Sequence, residues 1–329
     1  MTYPGPADWS GAVSALRQAD SVLLVAHVTP DADALGSALA LGLALRHLGK
    51  QVQVSVGEPG FQVPESLDFL PGVDLVVAPE DTRVPDVVVA CDTASIERLG
   101  VLADAVAVAS VSIAIDHHPT FSGFGTVHVI DPDAPATAAL ALRLIDMLDV
   151  ELDRDIAAAV YAGLATDTGS FKFHATTSDT LRMAARLFDT GFEHARLARL
   201  LFDDEPLAAL RVMGGALERA VLVAGGARGA GVVYTSVGME HRGELPELAM
   251  ERVIDTLRRT SQAEVAVVFK QADSGVWKAS LRSKDSVNVG EVARSLGGGG
   301  HRYAAGYTGH SDVSAMIAEL LAALDAAAS

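Results

Sequence analysis

The chain has 329 residues, half of them hydrophobic, and carries 25 Lys and Arg against 42 Asp and Glu, a net charge of −17. That length accommodates about two domains, and the acidic balance argues against wide phosphate-tracking contact with long duplex DNA. A small anionic substrate stays compatible with it wherever bound cations make a site locally positive.

No apolar run reaches the roughly 18 residues of a membrane span, and MTYPGPADWS at the start has no basic segment followed by an apolar one, so neither a leader nor a membrane partner is expected. The single cysteine, Cys91, excludes an intrachain disulfide and fits a reducing cytoplasm.

In chain order, SVLLVAHV (21–28) reads as a buried strand and ALGSALALGLALRHLG (34–49) as a helix closed by glycine. QVQVSV (51–56), DVVVACD (86–92) and VSIAIDHH (111–118) are further strands; ATAALALRLIDML (136–148) and RDIAAAVYAGLATD (154–167) are helices. Strands alternating with helices predict a parallel sheet covered on both faces. A helical stretch runs from about 178 to 222, and the connection between domains is assigned to 191–222, between a first domain of 1–190 and a second of 223–329. LARLLF in that connector suits a homodimer interface or, equally, docking on its own domain.

The second domain changes texture. GVVYTSV, AEVAVVFKQ and VWKASLRSK are strand-like, with ADSG as a hairpin turn. VNVGEVARSLG is a helix, and SDVSAMIAELLAALDAAA is a terminal helix with Ser311 as its cap. The expected class is α/β: a parallel-sheet N-terminal domain plus a smaller mixed α/β C-terminal domain, with a cleft between them.

Four short motifs fall at strand or helix ends, where open α/β sheets place their ligands. HVTPDADALGS offers His27, Asp31 and Asp33, as metal ligands or as a helix cap with solvated acids; Asp33 alone suits an N-cap. CDTAS ends a strand on Asp92, by itself an ordinary acid, with Cys91 facing the core. IDHHPT places Asp116, His117 and His118 together; in an extended chain the two imidazoles point to opposite sides, and Asp116 can orient one of them. ATDTGSFKF puts Asp167 at a helix C-terminus, unfavourable to the macrodipole unless a cation compensates, although a simple turn around Asp167 and Gly169 is the alternative.

Taken together, hard carboxylates mixed with imidazole suit Mn²⁺, and Mg²⁺ or Zn²⁺ less well. His27, Asp31, Asp33, Asp92, His117 and Asp167, with His118 near, make six such ligands, enough for two metals if one carboxylate bridges, and two metals can drive an in-line phosphoryl displacement. A fifth motif, GGGGHRYAAG (297–306), lets backbone N–H groups approach a phosphate, with His301 and Arg282 of SLRSK as charged donors. A flexible linker is the alternative. His47 and His310 read as surface histidines, Phe171 and Phe173 as core, Trp277 as packing, and Tyr303 and Tyr307 as packing or base-stacking residues.

HVTPDADALGS, CDTAS, DHH and TDTGSF resemble, in order, the four motifs of the DHH phosphoesterase family, and SLRSK followed by VNVGEVARSLGGGGHRYAAG resembles its DHH-associated C-terminal domain. The resemblance covers nearly the whole chain. It implies His27, Asp31 and Asp92 on one Mn²⁺ and Asp33, Asp92, His117 and Asp167 on a second, Asp92 bridging. By the same resemblance His118, with Asp116, meets the scissile phosphate, and Arg282, Ser283, Gly298, Gly299, Gly300 and His301 hold the substrate's other end.

The compact layout is similar to the nanoRNase branch, which implies hydrolysis of short oligoribonucleotides, pApA, 3′-phosphoadenosine-5′-phosphate or cyclic di-AMP. The alternatives weighed against it are a pyrophosphatase or exopolyphosphatase, and a nucleotide sensor without catalysis; the intact ligand set speaks against the sensor.

Overall fold

The computed structural model describes residues 6–243, 245, 250–272 and 275–327. The chain divides into two compact units that meet between Asp204 and Glu205.

The first unit runs α1 (Trp9–Gln18), β1 (Ser21–Ala26), α2 (Ala32–His47), β2 (Gln51–Val56), β3 (Val87–Cys91), α3 (Ala103–Val108), β4 (Val111–Asp116), β5 (Val127–Ile130), α4 (Thr137–Met147), α5 (Arg154–Asp167), α6 (Ser178–Asp189) and α7 (His194–Phe202). The five strands are all parallel, in the order β2-β1-β3-β4-β5. Alternate residues of the central strands face opposite cores: Val22, Leu24, Val87 and Val89 pack with α2, α4 and α5, while Leu23, Val25, Val88 and Ala90 pack with Leu99, Leu102 and Val106. Burial on both faces explains why these strands read as unbroken apolar runs.

α2 is buried from Ala32 through Leu45, so it shows no polar stripe. It starts two residues before the expected position because Asp31 caps it. α1, α3 and β5 were not anticipated: α1 buries only Ala12 and Leu16, and α3 and β5 are only six and four residues long.

The expected helical stretch of 178–222 is broken into α6, α7 and α8 (Leu207–Glu218), and its last residues enter β6 (Val221–Val223). The stretch 191–222 is thus divided, α7 packing in the first unit and α8 in the second. The second unit continues with β7 (Val232–Val237), α9 (Met239–Arg242), α10 (Glu251–Leu257), β8 (Val265–Gln271), β9 (Trp277–Ser283), α11 (Val289–Ser295), β10 (Gly299–His301), β11 (Ala304–Gly309) and α12 (Val313–Ala327). Its sheet has the order β10-β11-β9-β8-β7-β6 and is mixed, with β7 and β8 parallel and the other pairs antiparallel. One face packs on α11 and α12, the other on α8 and α10.

The ADSG turn joins β8 to β9 as expected from the hairpin, although Asp273 and Ser274 lie outside the described residues. The terminal helix is capped by Asp312 rather than Ser311: its Oδ1 accepts from the N–H groups of Ser314 and Ala315 at 2.9 and 3.0 Å, the better carboxylate acceptor sitting one residue nearer the helix. Among the described residues no helix is long and apolar enough to cross a membrane.

Candidate metal centre

Register builds the site. Ala26 pairs with Cys91, and Cys91 with Ile115. The next residues, His27, Asp92 and Asp116, therefore lie in one row at the C-terminal edge of three adjacent strands. β1 is flanked by β2 and β3, so the strand order reverses beside it, and such a reversal opens a ligand crevice. Backbone strain gathers here: Thr29, Asp92, Ser170 and Phe171 hold φ of 53°, 58°, 57° and 62°. Asp tolerates that region better than Phe, and such residues persist where the surroundings over-determine them.

The helices supply the remaining acids. Asp31 caps α2, its Oδ1 accepting from the N–H groups of Asp33 and Ala34 at 3.0 Å. Asp33 sits in the first turn of α2, wholly buried, and caps a different helix: it accepts from Thr137 N–H at 2.7 Å and Ala138 N–H at 2.9 Å, the start of α4. It fits because α5 has glycine there; a Cβ on Gly163 would lie 2.4 Å from Asp33 Oδ1. Asp92 Oδ1 accepts from the Thr137 hydroxyl at 2.7 Å, and Asp167 ends α5.

Both imidazoles of DHH reach Asp92, rather than pointing to opposite sides of a strand. His117 Nε2 lies 3.2 Å from Asp167, 3.6 Å from Asp92 and 3.9 Å from Asp33, while His118 Nδ1 is 3.6 Å from Asp92. β4 ends at Asp116, so strand alternation does not extend to His117 and His118. The rings stand edge to face, 5.0 Å apart. Asp116 Oδ1 accepts from His118 Nδ1 at 2.7 Å, the orienting contact expected of it. His27 Nδ1 donates to Val28 O at 2.8 Å, which turns Nε2 toward Asp92 at 3.7 Å and Asp31 at 3.9 Å.

The donor set fits divalent cations. Donor atoms of His27, Asp31 and Asp92 lie within 4.8 Å of one another, as do those of Asp33, Asp92 and His117, and of Asp92, Asp116 and His118; Asp92 belongs to all three groups. Buried Asp116 Oδ2 has no hydrogen-bond partner among the described residues. Burial, with the charges of Asp92 and Asp167, pushes the Asp33 carboxyl well above the usual carboxylate range, and burial raises Asp167. Burial alone would lower both His117 and His118, but the facing carboxylates more than offset it and raise both. Protons thus balance in part the charge that cations would balance better.

In the second unit the glycine run is an ordered hairpin rather than a linker. Gly299–His301 pairs with β11, and a Cβ on Gly298 or Gly300 would meet backbone oxygen at 2.1 or 2.6 Å. A Cβ on Gly299 would meet nothing within 4 Å, so packing does not account for that glycine. Arg282 and Ser283 are neighbours on β9 and face opposite sides. Ser283 is buried, its hydroxyl donating to Glu264 at 2.9 Å, so the structure does not bring it to the face that carries Arg282. Tyr307 and Trp277 pack in or on the core, and Arg302 stacks on Tyr303 at 5.5 Å. His47 and His310 are exposed, and Phe171 packs against the core.

Sequence reasoning passed over Thr137 and Arg98. Thr137 had no signal beyond opening a helix; Arg98 lies six residues past Asp92, a single basic residue in an otherwise unremarked turn.

Residues 21–164 match the DHH family, N-terminal domain, and residues 229–329 match the DHHA1 domain. The bifunctional oligoribonuclease and PAP phosphatase of Thermus thermophilus is 37% identical over 289 residues, which cover 87% of this chain and 83% of that protein. The Bacillus subtilis protein of the same name is 30% identical over 291 residues, covering 87% and 88%. The solved structure of an exopolyphosphatase-related protein from Bacteroides fragilis superposes with a TM-score of 0.85 at 23% identity, covering 97% of this chain and 95% of that one. This fold and this donor set define a hydrolase of phosphoester bonds. The chain belongs to the DHH family, in the form that carries a C-terminal DHHA1 domain.

Proposed function

We propose that this protein is a Mn²⁺-dependent hydrolase of short nucleotides: oligoribonucleotides of a few residues, pApA, 3′-phosphoadenosine-5′-phosphate and, in the same class, cyclic di-AMP. The observation that carries the reading is the convergence on Asp92 of His27 and Asp31 from one side and His117 from the other, with Asp33 and Asp167 beside His117. The likeness to the Thermus oligoribonuclease and PAP phosphatase supports the substrate class.

His27, Asp31 and Asp92 would hold one cation; Asp33, Asp92, His117 and Asp167 would hold the second. Bound cations supply Lewis acidity toward the phosphoryl oxygens and make the attacking water more acidic. His118, held through Nδ1 by Asp116, presents Nε2 to the scissile phosphate and is the group placed to move a proton toward the leaving oxygen. In the DHHA1 unit Arg282, Gly299 and His301 bind the substrate's non-reacting phosphate, with Gly298 and Gly300 shaping the hairpin. The protein works in the cytoplasm, consistent with the buried thiol of Cys91.

The test is release of mononucleotide or phosphate by purified protein as Mn²⁺ is titrated in, with pApA, 3′-phosphoadenosine-5′-phosphate, cyclic di-AMP and pyrophosphate side by side and Asp92→Asn as control. Mn²⁺-dependent AMP release from pApA, lost in the control, is expected. Pyrophosphate as the sole good substrate, or nucleotide binding without turnover, would overturn the reading.

A further inference from the structure

Arg98 stands beside His27, one of the candidate ligands. Its Nη2 is 3.0 Å from His27 Nδ1. That nitrogen carries its proton toward Val28 O, so it offers the guanidinium no lone pair, and a guanidinium has only donors. The side chain is exposed, and among the described residues it forms no ion pair with a carboxylate.

Its backbone, by contrast, is tightly held. Arg98 O accepts from Val28 N–H at 2.8 Å, and Gly57 O accepts from Val101 N–H at 3.0 Å. Gly100, at φ 55°, lies so close that a Cβ there would sit 2.1 Å from Gly57 O. The turn after Asp92 is thus clamped to the loops after β1 and β2, and the clamp sets the Arg98 guanidinium against His27 Nδ1.

We propose that Arg98 is a substrate-binding residue of the first unit, its guanidinium gripping a non-bridging oxygen of the scissile phosphate next to the cations. A forked donor suits a phosphoryl group, which presents paired oxygens at the matching spacing. The proposal rests on the phosphoester-hydrolase reading above, and adds to it a phosphate contact that does not depend on the DHHA1 unit.

The experiment compares wild type, Arg98→Ala and Arg98→Lys in three measurements. These are Mn²⁺ binding by calorimetry, inorganic phosphate binding to the Mn²⁺-loaded proteins, and steady-state hydrolysis of pApA and 3′-phosphoadenosine-5′-phosphate. Arg98→Ala is expected to lower kcat/KM about 100-fold and to weaken phosphate binding about tenfold, with Mn²⁺ affinity unchanged. Arg98→Lys is expected to restore part of both losses, since it keeps the charge and loses the fork. Unchanged kcat/KM and phosphate binding in Arg98→Ala would overturn the proposal. So would a fall in Mn²⁺ affinity that matches the loss of activity, because Arg98 would then act through His27. If wild type hydrolyses neither nucleotide while phosphate binding still depends on Arg98, the substrate reading fails and the phosphate contact stands.

Discussion

Asp92 concentrates the demands of the site: it faces three imidazoles, accepts from Thr137, and holds a left-handed backbone at φ 58°. Asn tolerates that backbone as Asp does and removes a charge that repels Asp33 and Asp167. Asp92→Asn is therefore expected to cut activity by more than about 100-fold, beyond the usual cost of losing an outer-sphere partner. The melting temperature of the metal-free protein should hold or rise, as differential scanning calorimetry would show; a sharp fall would mean that Asp92 serves packing. Gly163→Ala makes the opposite case. Its new methyl would press on Asp33 Oδ1 and on the Ala138 Cβ, 2.4 and 2.8 Å away, so about 1–3 kcal/mol of stability should be lost together with metal affinity. The acids themselves were legible as ligand types in HVTPDADALGS. Which of them caps which helix was not, since Asp33 reaches α4 across 104 residues of chain.

At the scale of elements, the turn between β9 and α11 is organised by one side chain. Glu264 Oε1 accepts from the N–H groups of Asp285 and Ser286 at 2.7 and 2.8 Å and from the Ser283 hydroxyl at 2.9 Å. Burial works against the carboxylate, yet these donors outweigh it and hold its pKa below its ordinary value of 4.5. A group with a depressed folded pKa stabilises above its ordinary value, and that stability is lost as pH falls through the folded one. Urea denaturation of wild type and Glu264→Gln should accordingly differ by about 1–2 kcal/mol at pH 7, with the gap closing below pH 4.5. A gap that persists at low pH would assign the effect to shape instead of charge. The glycine hairpin shows the same dependence on context. GGGG suits a phosphate loop or a linker in isolation, and only the pairing of β10 with β11 separates Gly298 and Gly300, required by packing, from Gly299, which is not.

For the whole molecule, the metal-free site stores protons. Asp33 and Asp167 are raised above 3.8, and His117 and His118 above 6.5. Groups raised in the folded state bind more protons there than in the unfolded chain, so their stabilising effect fades as pH rises. The melting temperature of the chelated protein is expected to decline as pH climbs past 6.5. Mn²⁺ should displace the protons of Asp33, Asp167 and His117, bind more tightly at higher pH, and add about 2.7 kcal/mol at a hundredfold excess over its Kd. Calorimetry in buffers of different ionisation enthalpy would count the protons released; none released would contradict a cation held by Asp33, His117 and Asp167.

By itself the sequence determined the α/β alternation, the residue types that can hold cations and phosphate, and the family resemblance, because apolar periodicity and short motifs are local properties. It did not determine α1, α3, β5 or the break of the long helical stretch. Nor did it reveal Thr137 and Arg98 beside the candidate ligands. Those depend on contacts between segments far apart in the chain: the strand register that aligns His27, Asp92 and Asp116, the close approach of α5 to α2 at Gly163, and the backbone clamp between Gly57 and Gly100. Tertiary structure decided them because the free energy of placing a buried charge is set by whichever donors and carboxylates the fold brings around it.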